Sequence, residues 1–305
     1  MLKKVEEQKG VMKVILVTGG SGFLGRHLIR RLLDEYQDIE VRTISRGENA
    51  IRKMLGECHS ERLIPIVGDI RDVDSLKYAL RDTDTVVHLA AMKHIDLCEM
   101  YHLETIAINV IGTKNLLDLF SGATFIGMST DKAIEAITCY GATKLLTEKL
   151  ILDWAKKEKD KRYMVIRAGN IFGSTGSVIE RWKQQISQNN EINITNPEMT
   201  RFFTNVEPLV DFIIETMESG ESGNIYIPYQ KALTLSDLAK ATVDFYGNKA
   251  TRLKLSGARV GEKLHEILFI EGEKVISSLD SNLSQDSPRL TTEEIKNWLR
   301  ELERH

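Results

Sequence analysis

Five side chains near the middle of the chain have the types and spacing of an acid–base centre. In the run STDKAIEAITCYGATK, Thr130, Asp131 and Lys132 place a hydroxyl, a carboxyl and an amine in a row, and Tyr140 and Lys144 close the stretch. Tyr140 and Lys144 are four apart, so a helix carries them on one face. An ammonium beside a phenol lowers its pKa and lets it act as a base toward an alcohol. Lys144 is also placed to hold a ribose. The question is what an acid and an amine do eight or nine residues ahead of such a pair. Cys139 reads as a small packing group and His94 as a structural or solvated histidine.

Elements of alternating type must position these groups. VMKVILVTG is an apolar, β-branched strand ended by glycine, and FLGRHLIRRLLDEY an amphipathic helix. EVRTIS, RLIPIVGDI, TVVHLAA, TFIGMST and RYMVIRAGN read as further strands. VDSLKYALR, ETIAINVIGTKNLLDLF and GATKLLTEKLILDWAKK read as helices between them. Such repeats imply right-handed crossovers and a parallel sheet covered on both faces. After Asn170 the rhythm breaks into glycine, asparagine and short helical pieces. NVEPLVDFIIETME and GNIYIP read as a helix and a strand returning to the sheet, and LSDLAKATVDFYG and TTEEIKNWLRELE as capped helices. The expectation is an α/β, Rossmann-type doubly wound parallel sheet over residues 1–168. A smaller C-terminal substrate lobe is expected over 169–305, with parts of 205–228 rejoining the sheet.

TGGSGFLG joins the first strand to the first helix. Gly19 turns the chain, Gly22 lets backbone N–H groups approach a pyrophosphate, and Gly25 allows close helix–strand packing; Ser21, Phe23 and Leu24 complete the cradle. The motif follows a strand and opens a helix, the context that dinucleotide binding requires. At the end of the second strand, where a carboxylate usually meets a free ribose hydroxyl, stand Ser45 and Arg46. A hydroxyl and a guanidinium suit a 2′-phosphate, which favours NADP over NAD. Asp69 and Ile70 fall where an adenine edge would lie. Leu89, Ala90, Ala91 and Lys93 follow the fourth strand at the same sheet edge, and Asn109 is assigned to the cofactor set from the next helix.

Composition sets the bounds. The 305 residues carry 42% hydrophobic side chains and a formal net charge of −3, so the chain has material for a core and no basic surface for nucleic acid. Cys58, Cys98 and Cys139 have no metal-type spacing and suggest a reducing compartment. The N-terminal stretch is not expected to be a signal peptide, and no run approaches the roughly 18 apolar residues of a membrane span. A soluble cytoplasmic protein is expected.

Together these features resemble the extended short-chain dehydrogenase/reductases, over nearly the whole chain. RAGNIFGSTGSVI, MTRFF and GEKLHE look like that family's nucleotide-sugar lobe. The resemblance implies Lys93, Asn170 and Ser177 at the substrate, Arg201 and Arg259 as positive charge near a diphosphate, and Glu262 near the nucleoside ribose. A dehydrogenase or 4-epimerase of this kind needs only the hydroxyl, Tyr140 and Lys144. A sugar 4,6-dehydratase needs more: a base for the carbon 5 proton and an acid for the departing carbon 6 hydroxyl. The dTDP-glucose dehydratases have Thr-Asp-Glu at the triplet; here it is Thr-Asp-Lys. The run as a whole is most similar to UDP-N-acetylglucosamine 4,6-dehydratases, within them to the soluble branch that inverts carbon 5. Retaining relatives tend to carry Met where Tyr140 stands. Two positions depart from the family pattern, Ala168 in RAGN and Val260 in RVGEK.

The resemblance implies Tyr140, partnered by Thr130, as base at the carbon 4 hydroxyl, Asp131 as acid and Lys132 as the carbon 5 base. Lys132 would then need a pKa well below the ordinary value of about 10.4, lowered by burial, Lys144 and a cationic nicotinamide. A UDP-sugar substrate, tightly held recycled NADP, no membrane partner and a homo-oligomer follow by the same analogy. A retaining dehydratase, a nucleotide-sugar 4-epimerase and a non-catalytic NADP sensor are the alternatives; a sensor would exchange its cofactor freely.

Overall fold

Strand formation starts with Ile15, Leu16 and Val17, all fully buried in β1 (Val14–Thr18). The computed structural model describes residues 13–258, 261–279 and 281–303. From β1 the chain runs through α1 (Phe23–Glu35), β2 (Glu40–Ser45), α2 (Glu48–Glu57), β3 (Leu63–Val67), α3 (Val73–Ala79) and β4 (Thr85–His88). It continues through α4 (Ile95–Met100) and α5 (His102–Ile106), which passes through a π turn (Ala107–Ile111) into α6 (Gly112–Leu119). Then come β5 (Thr124–Thr130), α7 (Cys139–Lys157) and β6 (Arg162–Ala168). On α1, Leu24, Leu28 and Leu32 recur at helical spacing and bury one face against β1 and β2.

The rest comprises β7 (Asn170–Ile171), α8 (Val178–Asn189), β8 (Glu191–Ile194), β9 (Thr200–Thr204), α9 (Val206–Ser219), β10 (Ile225–Ile227), β11 (Lys231–Thr234), α10 (Leu235–Tyr246), β12 (Arg252–Leu255), β13 (Val275–Ser277) and α11 (Thr292–Leu302). Eight strands form one sheet in the order β13-β10-β6-β5-β4-β1-β2-β3, every neighbouring pair parallel. The order reverses between β1 and β4, so the crevice that binds ligands in such sheets opens over their carboxyl ends. α9 packs against α1, and Leu209, Val210 and Ile213 enter the core under the large sheet. Two smaller sheets, β11-β9-β7 and β12-β8, lie with α8, α10 and α11 around a separate core that includes Phe172, Trp182, Phe203 and Leu238.

Three differences from the sequence reading have local causes. The helix expected to begin at Gly141 begins at Cys139, because the Thr138 side chain caps it by accepting from the Gly141 N–H at 3.1 Å. The helix expected as one stretch before β5 starts at His102 and contains the π turn. The eighth strand, β13, was not expected: three residues, mostly exposed, carry no readable period.

Two buried polar clusters hold the sheet where the site forms. Arg167 on β6, 0% exposed, donates to both carboxylate oxygens of Glu148 on α7 at 2.9 and 2.7 Å and to Glu273 at 2.8 and 2.9 Å. Ser129 on β5 donates to the same Glu148 carboxylate at 2.5 Å. At the end of β4, the ring nitrogens of His88 meet the hydroxyls of Thr18 at 2.7 Å and Thr113 at 2.9 Å.

Burial, with Lys144 adding to it, pushes the His88 imidazole down to about 3. Between that value and the ordinary 6.5 the unfolded chain binds a proton that the folded protein refuses. His88 therefore removes stability as pH falls through that window, by at most ~1.4 kcal/mol per pH unit. Urea unfolding from pH 7 to 4 is expected to show the loss, and His88→Asn to flatten it.

Candidate active site

The carboxyl ends of β1 to β6 and the loops of the smaller sheets enclose one cleft of about 1270 Å³. At one side lies the glycine turn. Gly19 has φ +69°, and a Cβ there would sit 2.9 Å from the Ala90 backbone. A Cβ on Gly25 would overlap the backbone of Gly20, so only glycine lets α1 start this close to β1. No side chain caps α1 at Gly22, which leaves its N-terminus to an anion. Ser21, Phe23 and Leu24 line the same part of the cleft, followed by Ser45, Arg46, Asp69, Ile70, Leu89, Ala90 and Ala91. The Ser45 hydroxyl is buried and has no hydrogen-bond partner among the described residues. Asp69 is held by Arg71 at 2.6 Å, with Arg46 at 3.9 Å. A glycine cradle, an uncapped helix start and an orphaned hydroxyl on one wall fit a nicotinamide dinucleotide.

Asn109 is the exception in the expected cofactor set. It does not line the cleft. Its carbonyl accepts from the Met92 N–H at 2.7 Å, and its amide donates to Met92 O at 2.9 Å and Thr143 Oγ1 at 3.0 Å. The side chain is used up in tying the loop after β4 to α7, so Asn109 shapes the wall from behind.

The expected acid–base residues converge. Tyr140 and Lys144, on the first two turns of α7, line the cleft with Thr130 and Lys132. Their approach depends on Gly141, where any Cβ would overlap the Lys132 carbonyl oxygen. Thr130 Oγ1 donates to Asp131 Oδ1 at 2.8 Å and is within hydrogen-bonding reach of the Tyr140 phenol. Lys132 Nζ donates to Asp131 Oδ1 at 2.9 Å and to Asn170 Oδ1 at 3.5 Å. Asp131 is fully buried, does not itself reach the cleft, and leaves Oδ2 without a partner among the described residues.

The electrostatics correct two expectations. Lys132 was expected to have a lowered pKa. Burial does push it down, but the attraction of Asp131 and Glu266 and the Asp131 hydrogen bond outweigh burial and hold the amine above its ordinary range. Lys144 was expected to lower the Tyr140 pKa. Burial pushes Tyr140 up to about 12, and the cation that opposes this is Lys132. Lys144 donates to the Met128 carbonyl, and burial lowers it to about 8 against the pull of Glu148.

On the far side, Asn170, Lys93, Ser177, Arg201 and Glu262 all line the cleft. Asn170 donates to Phe202 O at 3.0 Å and faces Lys132. Lys93 reaches across to Thr175 O at 3.0 Å, and His94 beside it packs on Gly176. Ser177 caps α8. The Arg201 guanidinium donates to Thr200 O at 2.8 Å and Leu264 O at 3.2 Å, with its Nε 3.6 Å from Glu266. Arg259, and the departure at Val260, lie outside the described residues. The residue that sequence reading missed is Glu266, 3% exposed, on the cleft wall and 3.8 Å from Lys132. It closes the GEKLHE run, but nothing in that run says that it meets Lys132.

The family described as polysaccharide biosynthesis protein matches residues 15–284. The chain is 36% identical over 280 residues to the UDP-N-acetylglucosamine 4,6-dehydratase (inverting) of Campylobacter jejuni, covering 90% of this chain and 80% of that one. It is 34% identical over 331 aligned positions to the UDP-glucose 4-epimerase of Rickettsia bellii, covering 96% and 97%. The X-ray structure of Pen from Bacillus thuringiensis superposes with a TM-score of 0.86 at 26% identity, covering 96% of this chain and 98% of that one. Among the described residues no helix is long and apolar enough to cross a membrane.

The Gly141 contact gives a direct test of how the site is assembled. Gly141→Ala forces the first turn of α7 off the Lys132 carbonyl and separates Tyr140 from the triplet. Turnover is expected to fall about 100-fold with an unchanged circular dichroism spectrum.

Proposed function

Because the chain belongs to the polysaccharide biosynthesis protein family, among the extended short-chain dehydrogenase/reductases, we propose that it is an NADP-dependent UDP-N-acetylglucosamine 4,6-dehydratase that inverts carbon 5. The observation that carries this reading is the ion pair of buried Asp131 with Lys132, whose amine lines the cleft wall with Tyr140. Oxidation at carbon 4 alone gives such a pair nothing to do, whereas elimination across carbons 5 and 6 uses both members. When bound, the nicotinamide supplies an acceptor for the carbon 4 hydride, a donor for carbon 6, and positive charge that favours a phenolate.

The protein's own groups do the proton work. Tyr140 takes the carbon 4 hydroxyl proton, with Thr130 holding the phenol oxygen in place. Lys132 is an ammonium in the state described, so it must first lose a proton. Asp131 Oδ1, 2.9 Å away, is the nearest acceptor. That one transfer makes a neutral amine and a carboxylic acid together, the base and the acid that elimination requires. The amine then takes the carbon 5 proton, the carbon 6–oxygen bond breaks, and the Asp131 proton leaves with the hydroxyl as water. Thr130, at 2.8 Å from Asp131, is the hydroxyl through which that proton reaches the cleft. The ammonium and carboxylate are thereby restored, and inversion requires that the proton returning to carbon 5 arrive on the face opposite Lys132. Ser45 and Arg46 support NADP, as a hydroxyl and a guanidinium placed for a 2′-phosphate. The alternative with an observation behind it is a 4-epimerase, favoured by the near full-length likeness to the Rickettsia enzyme.

Proton NMR of the purified protein with UDP-N-acetylglucosamine in D2O, without added coenzyme, separates these. A 6-methyl signal with deuterium at carbon 5 is expected, with ring couplings that report inversion; a carbon 4 epimer instead would establish the rival. Lys132→Ala is expected to abolish deuterium uptake at carbon 5, and normal uptake in that variant would remove Lys132 from its role. Arg46→Ala is expected to weaken NADP at least about ten-fold relative to NAD in cofactor titrations of stripped protein, the scale of one charge-assisted contact.

A further inference from the structure

Glu266 has no part in the mechanism above, yet it shares a polar cluster on the cleft wall with Lys132 and Arg201. Its Oε1 lies 3.8 Å from Lys132 Nζ and 3.6 Å from Arg201 Nε, and its buried Oε2 has no hydrogen-bond partner among the described residues. The segment that carries it is pinned on both sides. The Glu266 N–H donates to Ser284 Oγ at 2.8 Å, and the Lys263 ammonium donates to the Ile134 carbonyl in the loop between Lys132 and Tyr140. Gly261, with φ +85°, packs on Thr138, where a Cβ would strike the threonine methyl. The carboxylate is thus built into place against the Lys132 amine, which also meets Asp131 at 2.9 Å.

We propose that Glu266 is a positioning residue for the dehydration. With Asp131 it holds the Lys132 amine, and with Arg201 as its counterweight it sets the pH at which Lys132 gives up its proton. The inference rests on the dehydratase reading for its purpose, though not for its geometry. The charged and titratable groups facing the cluster are Asp131 beside Lys132, Tyr140 from α7, Arg201 from β9, and Lys263, itself 3.9 Å from Glu135. Burial holds the Glu266 carboxyl above its ordinary range, with Asp131 adding to it, against the attraction of Lys132, Arg201 and Lys263. A carboxylate there favours the ammonium form of Lys132, so an enzyme that lacks it should release that proton more readily.

The test reads Lys132 directly. Protein labelled with carbon-13 at the lysine ε carbons is titrated by NMR, with the Lys132 signal assigned by its loss in Lys132→Arg. In Glu266→Gln, which keeps the shape and removes the charge, the Lys132 midpoint is expected to move to lower pH. Carbon 5 deuterium uptake is expected to move its pH dependence the same way. Glu266→Asp keeps the charge and should return the midpoint toward that of the unmodified protein. Should Glu266→Gln fail to fold, Glu266→Ala also removes the charge and is expected to move the midpoint to lower pH in the same way. An unmoved midpoint in either folded variant overturns the proposal. If the unmodified enzyme makes no 6-methyl product, the dehydratase reading fails alone, and the lysine titration still decides the role of Glu266.

Discussion

A guanidinium with no exposed surface holds the site together. Arg167 lies within β6, between Glu148 of α7 and Glu273 of the stretch leading to β13, and Ser129 of β5 shares the Glu148 carboxylate. Burying three charges is costly, and such a cluster persists only when each is paired and hydrogen-bonded. Here the Arg167 guanidinium meets both carboxylates in fork geometry and adds the Leu268 carbonyl at 2.8 Å. The elements so clamped are those that supply Thr130, Asp131 and Lys132 after β5, Tyr140 and Lys144 on α7, Asn170 after β6, and Glu266 just before Leu268. One buried ion cluster therefore fixes the mutual distances of the acid–base groups from below.

Above that clamp the cleft is divided between backbone and side-chain chemistry. On the β1–β4 side the walls are glycine, alanine and an uncapped helix start, which suit a phosphate-bearing cofactor held by main-chain groups. On the other side, Lys132, Arg201 and Glu266 line the wall, Asp131 lies buried behind Lys132, and the four charges neutralise one another. Four charges in one buried group make the protonation state of each depend on the others. This is why burial alone is a poor guide to Lys132. Desolvation favours the neutral amine, but two carboxylates within 4 Å reverse the outcome.

The same coupling gives the Asp131–Lys132 pair its chemical interest. A salt bridge and a neutral acid–amine pair differ by one proton moved over a single hydrogen bond. A cluster in which two carboxylates hold the ammonium favours the salt bridge at rest, and a change in the surrounding charge shifts the balance. Gly141 matters here as much as any charged residue, because without a close start to α7 the phenol of Tyr140 would not share this field.

Much of this was legible in the sequence. The strands β1, β2 and β5, the glycine turn and the triplet with its Tyr–Lys pair are local patterns: period, turn chemistry and spacing decide them within a few residues. Position at the carboxyl edge of a parallel sheet followed from strand–helix alternation, which places strand-end residues together whatever their distance along the chain. Three features were decided by tertiary structure alone. Asn109 turned from ligand candidate to brace because its amide is consumed by Met92 and Thr143. Glu266 became part of the centre because Gly261 and Lys263 dock its segment on the loop before α7. The ammonium form of Lys132 follows from that docking. Sequence spacing specifies which groups can meet along one element; the protonation of a buried group depends on every charge around it, and those charges are gathered only when the chain folds.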